Sequence, residues 1–279
     1  MIFAFFHTAR GGEVEKGDRE MIALAVDGIR TAHPDCRVVM LTDEQTSFDG
    51  SLELDAVVRH PATFDTVMYD RMVAQAAFVD GLADDEMVVF LDTDVLVVRP
   101  VTFARPFDVG VTVRPTAEIG FRVAEGAPPM PFQGGVLVAR GGAAARRLFR
   151  KAVGTYDRID LSPKLRAFHP DGVKGWYGDQ YVLSSMLGPY LVEGRPSQVT
   201  YDDAVVSFLP CDRYNHSFVP GQKIHVWDLL GRTMVHFKGE SKVLMPVVAD
   251  ALRQLKEVSA GYMAAQEHER AAAPPCGDA

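Results

Sequence analysis

The chain has 279 residues, enough for one large domain with a substantial core, and its 47% hydrophobic and 24% charged content is ordinary for a soluble globular protein. A formal net charge of -8 speaks against nucleic acid as the main partner, because phosphate-backbone binding needs clustered Lys and Arg. Cys36, Cys211 and Cys276 are odd in number and widely spaced, giving neither a metal spacing nor a disulfide framework, as suits a reducing compartment.

Ile2 to Phe6 reads as a first strand, with no basic leader before it and polar residues from His7, too early for a signal peptide. Asp18 is placed to cap an amphipathic helix through Ile22, Leu24, Ala25 and Ile29 that ends near His33 and Pro34. Arg37 to Leu41 is a second strand and Ala56 to Val58 a third; Asp65 then caps a helix from Thr66 to about Leu82. Met87 to Leu91 drives an apolar run into Asp92 and Asp94, and Val95 to Val98 continues it; both are β-branched and aliphatic without helical spacing, hence buried strand. This β-α-β-β-α-β rhythm implies a mostly parallel sheet that binds its ligand at strand ends, where Asp92 and Asp94 fall. Two close carboxylates in so apolar a setting need a partner, and a divalent cation is the readiest one. On those two residues alone, a strand-end turn capped by Asp94 accounts for the string equally well.

Beyond them Phe107 to Val113 and Gly135 to Ala139 read as strands, Ala143 to Tyr156 and Gln180 to Met186 as helices, and Ala204 to Leu209 and Thr233 to Phe237 as short strands. The polar stretches Thr116 to Pro131 and Asp157 to Gly178 have the length of binding loops, and Trp176 and Tyr177 could stack on a sugar or fill the core. Val247, Val248, Ala251, Leu252, Leu255 and Val258 recur at helical spacing within residues 246–270. That helix is expected to pack on protein, since acidic residues offset its basic ones and leave no face for an anionic bilayer. Residues 271–279 are expected to fray. No apolar run approaches the roughly 20 residues of a membrane span, so the expectation is a cytoplasmic enzyme.

Several segments carry a resemblance: FLDTDVLV at Phe90 to Val97, FQGGVLV at Phe132 to Val138, GDQYVL at Gly178 to Leu183, LPCDRYN at Leu209 to Asn215, and VHFKGESK at Val235 to Lys242. In order and approximate spacing they resemble the motifs of A-type glycosyltransferases, most closely glycosyltransferase family 8, which takes sugars from nucleotide diphosphates with retention. The resemblance implies an α/β, A-type glycosyltransferase fold: a single Rossmann-like nucleotide-diphosphosugar transferase domain with a mixed central sheet over residues 1–245. Residues 1–100 would be its nucleotide-binding half and 101–245 its sugar and acceptor half, followed by the C-terminal helix.

The resemblance further implies Mn²⁺, with Mg²⁺ as the alternative, held by Asp92, Asp94 and His236, whose oxygen and nitrogen ligands suit a mixed octahedral site. It implies a UDP-sugar as donor and, as acceptor, an unspecified carbohydrate, lipid-glycan or protein. His7 and Thr8 would meet base and ribose, Arg71 and Thr93 the donor, Gln133 and Gly134 the sugar, and Gly239 and Lys242 the diphosphate. Asp179 would bind sugar hydroxyls, Gln180 would face the anomeric carbon, and Lys242 would stabilise the leaving group. His7 and Thr8 depart from the family's small and acidic residues, Gln133 from its Asn, and Gly134 from its Ala or Ser. Blander readings stand beside these: Asp179 as N-cap of a helix from Tyr181, Arg71 as a surface ion-pair partner, His236 as a core residue. The rival functions are a haloacid-dehalogenase-like phosphatase with Asp92 as nucleophile, and an inactive sugar-binding relative.

Overall fold

β1 (Ile2–Phe6), β2 (Arg37–Thr42), β3 (Ala56–Arg59) and β4 (Met87–Leu91) are parallel, with α1 (Lys16–Ala32) after β1 and α2 (Val67–Asp80) before β4. After β5 (Val95–Val97) come β6 (Val109–Val113), β7 (Phe132–Arg140), α3 (Ala143–Asp157), α4 (Gly172–Leu187), β8 (Gln198–Tyr201) and β9 (Ala204–Pro210). The short α5 (Cys211–Tyr214), β10 (His216–Ser217), α6 (Val226–Leu229) and β11 (Met234–His236) follow, and residues 245–255 form a C-terminal helix. This computed structural model describes residues 1–62, 67–120, 129–158, 172–191, 197–218, 223–255 and 257. Among them the strands form a mixed eight-stranded sheet ordered β3-β2-β1-β4-β7-β6-β9-β8 and a three-stranded sheet ordered β10-β11-β5.

Alternation along the strands builds two cores. Phe3 and Phe5 of β1 face α1, where they pack with Val38, Met40, Ile22 and Ile29, while Ile2 and Ala4 face α2 and α3 with Val39 and Leu41. Burial on both faces explains why the central strands are nearly uninterrupted apolar runs. β5 leaves the main sheet and pairs antiparallel with β11, with His236 opposite Val95. That register carries a residue from late in the chain to the end of β4.

Several boundaries differ from expectation. α1 begins at Lys16, so Asp18 lies in its first turn, where its charge favours the helix dipole without capping it. α4 begins at Gly172, inside the stretch read as a loop, and the segment from Thr116 opens with a 3-10 turn, Thr116–Glu118. Asp65, the rest of both expected loops at 121–128 and 159–171, and the tail 271–279 lie outside the described residues. β8, β10 and α6 were not legible as elements. Among the described residues no helix is long and apolar enough to cross a membrane.

The C-terminal helix buries Met245, Val248, Ala249 and Leu252 in the α1-side core. Leu252→Ala should therefore lower the unfolding free energy by about 2–5 kcal/mol, as truncation of a buried leucine does. Val247, 67% exposed on the same helix, should tolerate Ala within about 0.5 kcal/mol. Equal denaturation midpoints for the two variants would mean that the helix is not docked in solution.

Candidate functional site

β4 ends at Leu91, and the chain turns through Asp92, Thr93 and Asp94 before β5. Backbone bonds fix this turn: the Asp92 amide donates to the Gly135 carbonyl at 3.0 Å, and the Phe237 amide donates to the Asp94 carbonyl at 2.9 Å. Asp92, Asp94 and His236 thereby converge, each offering a ligand atom within 4.8 Å of the others. His236 Nε2 stands 3.0 Å from Asp94 Oδ1 and 3.6 Å from Asp92 Oδ2.

The far side of the His236 ring fixes its tautomer. Thr112 Oγ1 lies 2.8 Å from the Gln133 carbonyl and 3.2 Å from that of Val136; both only accept, so the hydroxyl must donate to them. Its oxygen is then left to accept from Asn215 Nδ2 at 3.0 Å. That orients the fully buried Asn215 amide with Oδ1 toward His236 Nδ1, 2.8 Å away, so Nδ1 carries a proton and donates it. Nε2 is therefore the ring nitrogen left facing the two carboxylates, and unprotonated it would turn a lone pair toward a cation held between them.

Other cations already meet these carboxylates. Burial pushes the Asp94 carboxyl up, but the His236 ring and the Lys242 ammonium, 3.1 Å from Asp94 Oδ2, outweigh it and hold the group at about 2. Arg71 Nη1 donates to Asp92 Oδ1 at 2.5 Å, and Nη2 donates to Asp179 Oδ2. Burial opposes the Arg71 charge, yet Asp92 and Asp179 raise its pKa above the ordinary value. Arg71 is therefore a buried bridge between two carboxylates, which rules out the surface ion-pair reading. Asp179 lies well inside α4, so it does not cap that helix, and its Oδ1 is buried without a hydrogen-bond partner among the described residues.

Two glycines on β7 make the close approach possible. A Cβ on Gly134 would stand 1.8 Å from Asp179 Oδ2, and one on Gly135 would stand 2.3 Å from His236 Cε1 and 3.0 Å from Asp92 Oδ2. Bare backbone lets imidazole and carboxylates settle onto the strand.

A cleft of about 710 Å³ opens over this floor, lined by Arg71, Asp92, Asp94, Gln133, Gly134, Asp179, Gln180, His236, Gly239 and Lys242 among the expected residues. Tyr177 also lines it, whereas the Trp176 side chain lies outside the described residues. Thr93 sits half-buried in the turn. His7 and Thr8 follow β1 and do not line the cleft; burial lowers His7 below the ordinary histidine value, and the Lys242 charge reaches it. The sequence reading missed Asn215, Arg114 and Lys238. Arg114 Nη2 donates to Gln180 Oε1 at 3.3 Å, and Lys238 donates to Gln133 Oε1. Burial, and then Arg114, push the Lys238 ammonium below the ordinary lysine value. Alternation in His236-Phe237-Lys238, with Phe237 fully buried, was the signal that places Lys238 beside the imidazole.

No protein-family model matches the chain, and no curated protein matches its sequence. In structure it is similar to a glycosyltransferase involved in glycosylation of the major capsid of PBCV-1, with 11% identity and a TM-score of 0.51 over 88% of this chain and 98% of that one. The fold is the A-type glycosyltransferase fold. Similarity extends to galactosyltransferase LgtC in complex with donor and acceptor sugar analogues (16% identity, TM-score 0.47, 90% of this chain and 96% of that one). It extends also to mouse xyloside xylosyltransferase 1 (12% identity, TM-score 0.49, 86% and 98%).

In such a sheet the ligand crevice forms where strand order reverses. Here the chain runs outward from β1 to β2 and β3, then returns to β4 on the other side of β1, so the reversal lies between His7 and Asp92. Asn215→Leu, close in volume but unable to accept from His236 Nδ1, should weaken Mn²⁺ binding by roughly 10–100-fold, the usual effect of losing a partner behind a ligating histidine. Mn²⁺ titration followed by electron paramagnetic resonance checks this, and wild-type affinity in the folded variant would remove Asn215 from the site.

Proposed function

We propose that this chain is a metal-dependent glycosyltransferase of the family 8 type that moves a hexose-type sugar from a UDP-sugar to an acceptor hydroxyl with retention. The observation that carries this reading is one cleft holding the Asp92, Asp94 and His236 group beside Asp179, whose buried, unpartnered Oδ1 is available to a sugar hydroxyl. Two carboxylates and an imidazole lone pair fit a divalent cation, and Mn²⁺ accepts mixed oxygen and nitrogen ligands more readily than Mg²⁺.

Breaking the bond between anomeric carbon and phosphate leaves negative charge on the diphosphate and positive charge on the ring. Mn²⁺ would supply Lewis-acid neutralisation of the leaving group. Lys242 would add an ammonium to the same charge, moving from Asp94 to phosphate, and Gly239, with φ at 53°, lets its turn line the cleft without a side chain. Arg71 ties Asp179 to Asp92, so the sugar floor and the metal side move as one unit. The same pairing makes Asp179 a poor nucleophile. It supports front-face displacement, in which the acceptor oxygen bonds to the anomeric carbon as the phosphate departs and takes the hydroxyl proton.

The phosphatase reading is not favoured. Its nucleophile would be Asp92, whose Oδ1 is held by Arg71 and whose Oδ2 lies beside His236. The complete set of candidate ligands argues against an inactive relative.

The test is hydrolysis of a panel of UDP-hexoses, which needs no acceptor. Turnover is expected with Mn²⁺, reduced with Mg²⁺ and absent in excess chelator. Undiminished turnover in chelator would contradict the proposal.

A further inference from the structure

A second cavity opens beside the cleft. It measures about 470 Å³, a size common among small-molecule sites, and forms a groove with Tyr181, Ser184 and Ser185 of α4 on one wall and Ile119, Pro129 and Pro131 on the other. Three stretches of chain pass directly from one space into the other. Glu118 lines the cleft and Ile119 the groove, Gln180 lines the cleft and Tyr181 the groove, and Pro131 of the groove stands just before Gln133 of the cleft. On α4, Ser184 lies one turn beyond Gln180 and Ser185 one turn beyond Tyr181, so the groove continues the cleft along a single helix face. Gly188 closes that wall, and a Cβ there would meet nothing within 4 Å, which marks open space at the far end.

The two spaces differ in charge. The cleft holds Arg71, Asp92, Asp94, Asp179 and Lys242, whereas the described residues that line the groove carry no charge. An ion would lose hydration there with nothing to offset the cost, so the groove selects a neutral ligand. Its walls combine apolar faces, from the prolines, Ile119 and the Tyr181 ring, with hydroxyls along α4. Ser184 Oγ donates to the Gln180 carbonyl at 2.6 Å, which leaves its lone pairs to accept, and Ser185 is exposed beside it. A hydrocarbon chain would strip water from those hydroxyls without replacing the lost bonds. A sugar ring has an apolar C–H face and a hydroxyl edge, and so meets both kinds of surface.

Resting on the transferase reading, we propose that the acceptor is a neutral oligosaccharide and that this groove binds the part of it beyond the unit bearing the reactive hydroxyl. With Gln180 at the anomeric carbon, the reacting unit lies at the head of the groove. The stretch of α4 from Gln180 to Leu187 then adds roughly 10 Å of wall at the helical rise per residue, longer than a single pyranose ring. The groove therefore holds at least one further sugar.

The full chain, fluorescently labelled and saturated with Mn²⁺ and UDP, is applied to an array of neutral glycans of one to four hexose units in α and β linkage, with sulfated glycans and dodecyl chains on the same surface. At least one neutral glycan of two or more units is expected to bind roughly tenfold or more tightly than every single hexose. Gly188→Trp and Ser185→Trp, which place an indole in the groove, should each remove most of that difference. Single hexoses bound as tightly as longer glycans, or no neutral glycan bound, overturns the proposal. Preferential capture by dodecyl chains or sulfated glycans does so too, as does an undiminished preference for longer glycans in both folded variants. A wild-type chain that binds no UDP with Mn²⁺ overturns the transferase reading, and this inference with it.

Discussion

Asp92 and Asp94, one residue apart at the end of a buried strand, impose the requirement that the rest of the site answers. Like charges in a poorly hydrated cleft must meet positive charge or give up a proton. Three separate elements supply the answer: α2 brings Arg71, β11 brings His236, and the turn after β11 brings Lys242. The site is thus charge-compensated before any ligand arrives. Binding of a metal and a diphosphate there would exchange partners within it and strand no carboxylate.

The fold makes these encounters geometrically exact enough for chemistry. β5 departs from the main sheet only to pair with β11, and the Val95 to His236 register sets the imidazole against the aspartate turn. β7 lies between β4 and β6 and contributes no side chain at Gly134 and Gly135, where any Cβ would collide with Asp179 or His236. The Thr112, Asn215 and His236 bonds then tie β6, the turn after α5 and β11 into one orientation. Positioning of this kind, by buried groups with satisfied partners, is what holds a metal ligand in a single tautomer.

Much of the first half was legible because burial on both faces writes a strand as an apolar run with sharp ends. β1, β2 and β4 follow that pattern, and the aspartates sit where the run stops. α4 was cut short because Gly172, Gly175 and Gly178 argue locally against helix, and tertiary packing overrides that preference. β8 hid because it is a half-buried edge strand with little apolar signal. Of the site, the triad and Asp179 were legible through motifs. Asn215 was not, because its partner Thr112 lies 103 residues away, and for Lys238 alternation marks only the side it takes, since its partner Gln133 lies 105 residues away. Arg71 was visible as a residue, but its bridging role needed the position of Asp179, 108 residues on.

Anomalous diffraction at the manganese edge, from a crystal of the chain grown with Mn²⁺ and UDP, tests the central claim most directly. The account predicts an anomalous peak within coordination distance of the Asp92 and Asp94 carboxylates and His236 Nε2, with UDP phosphate oxygens completing the shell. UDP seated in the cleft without a peak there, with Arg71 and Lys242 still holding both aspartates, would contradict it.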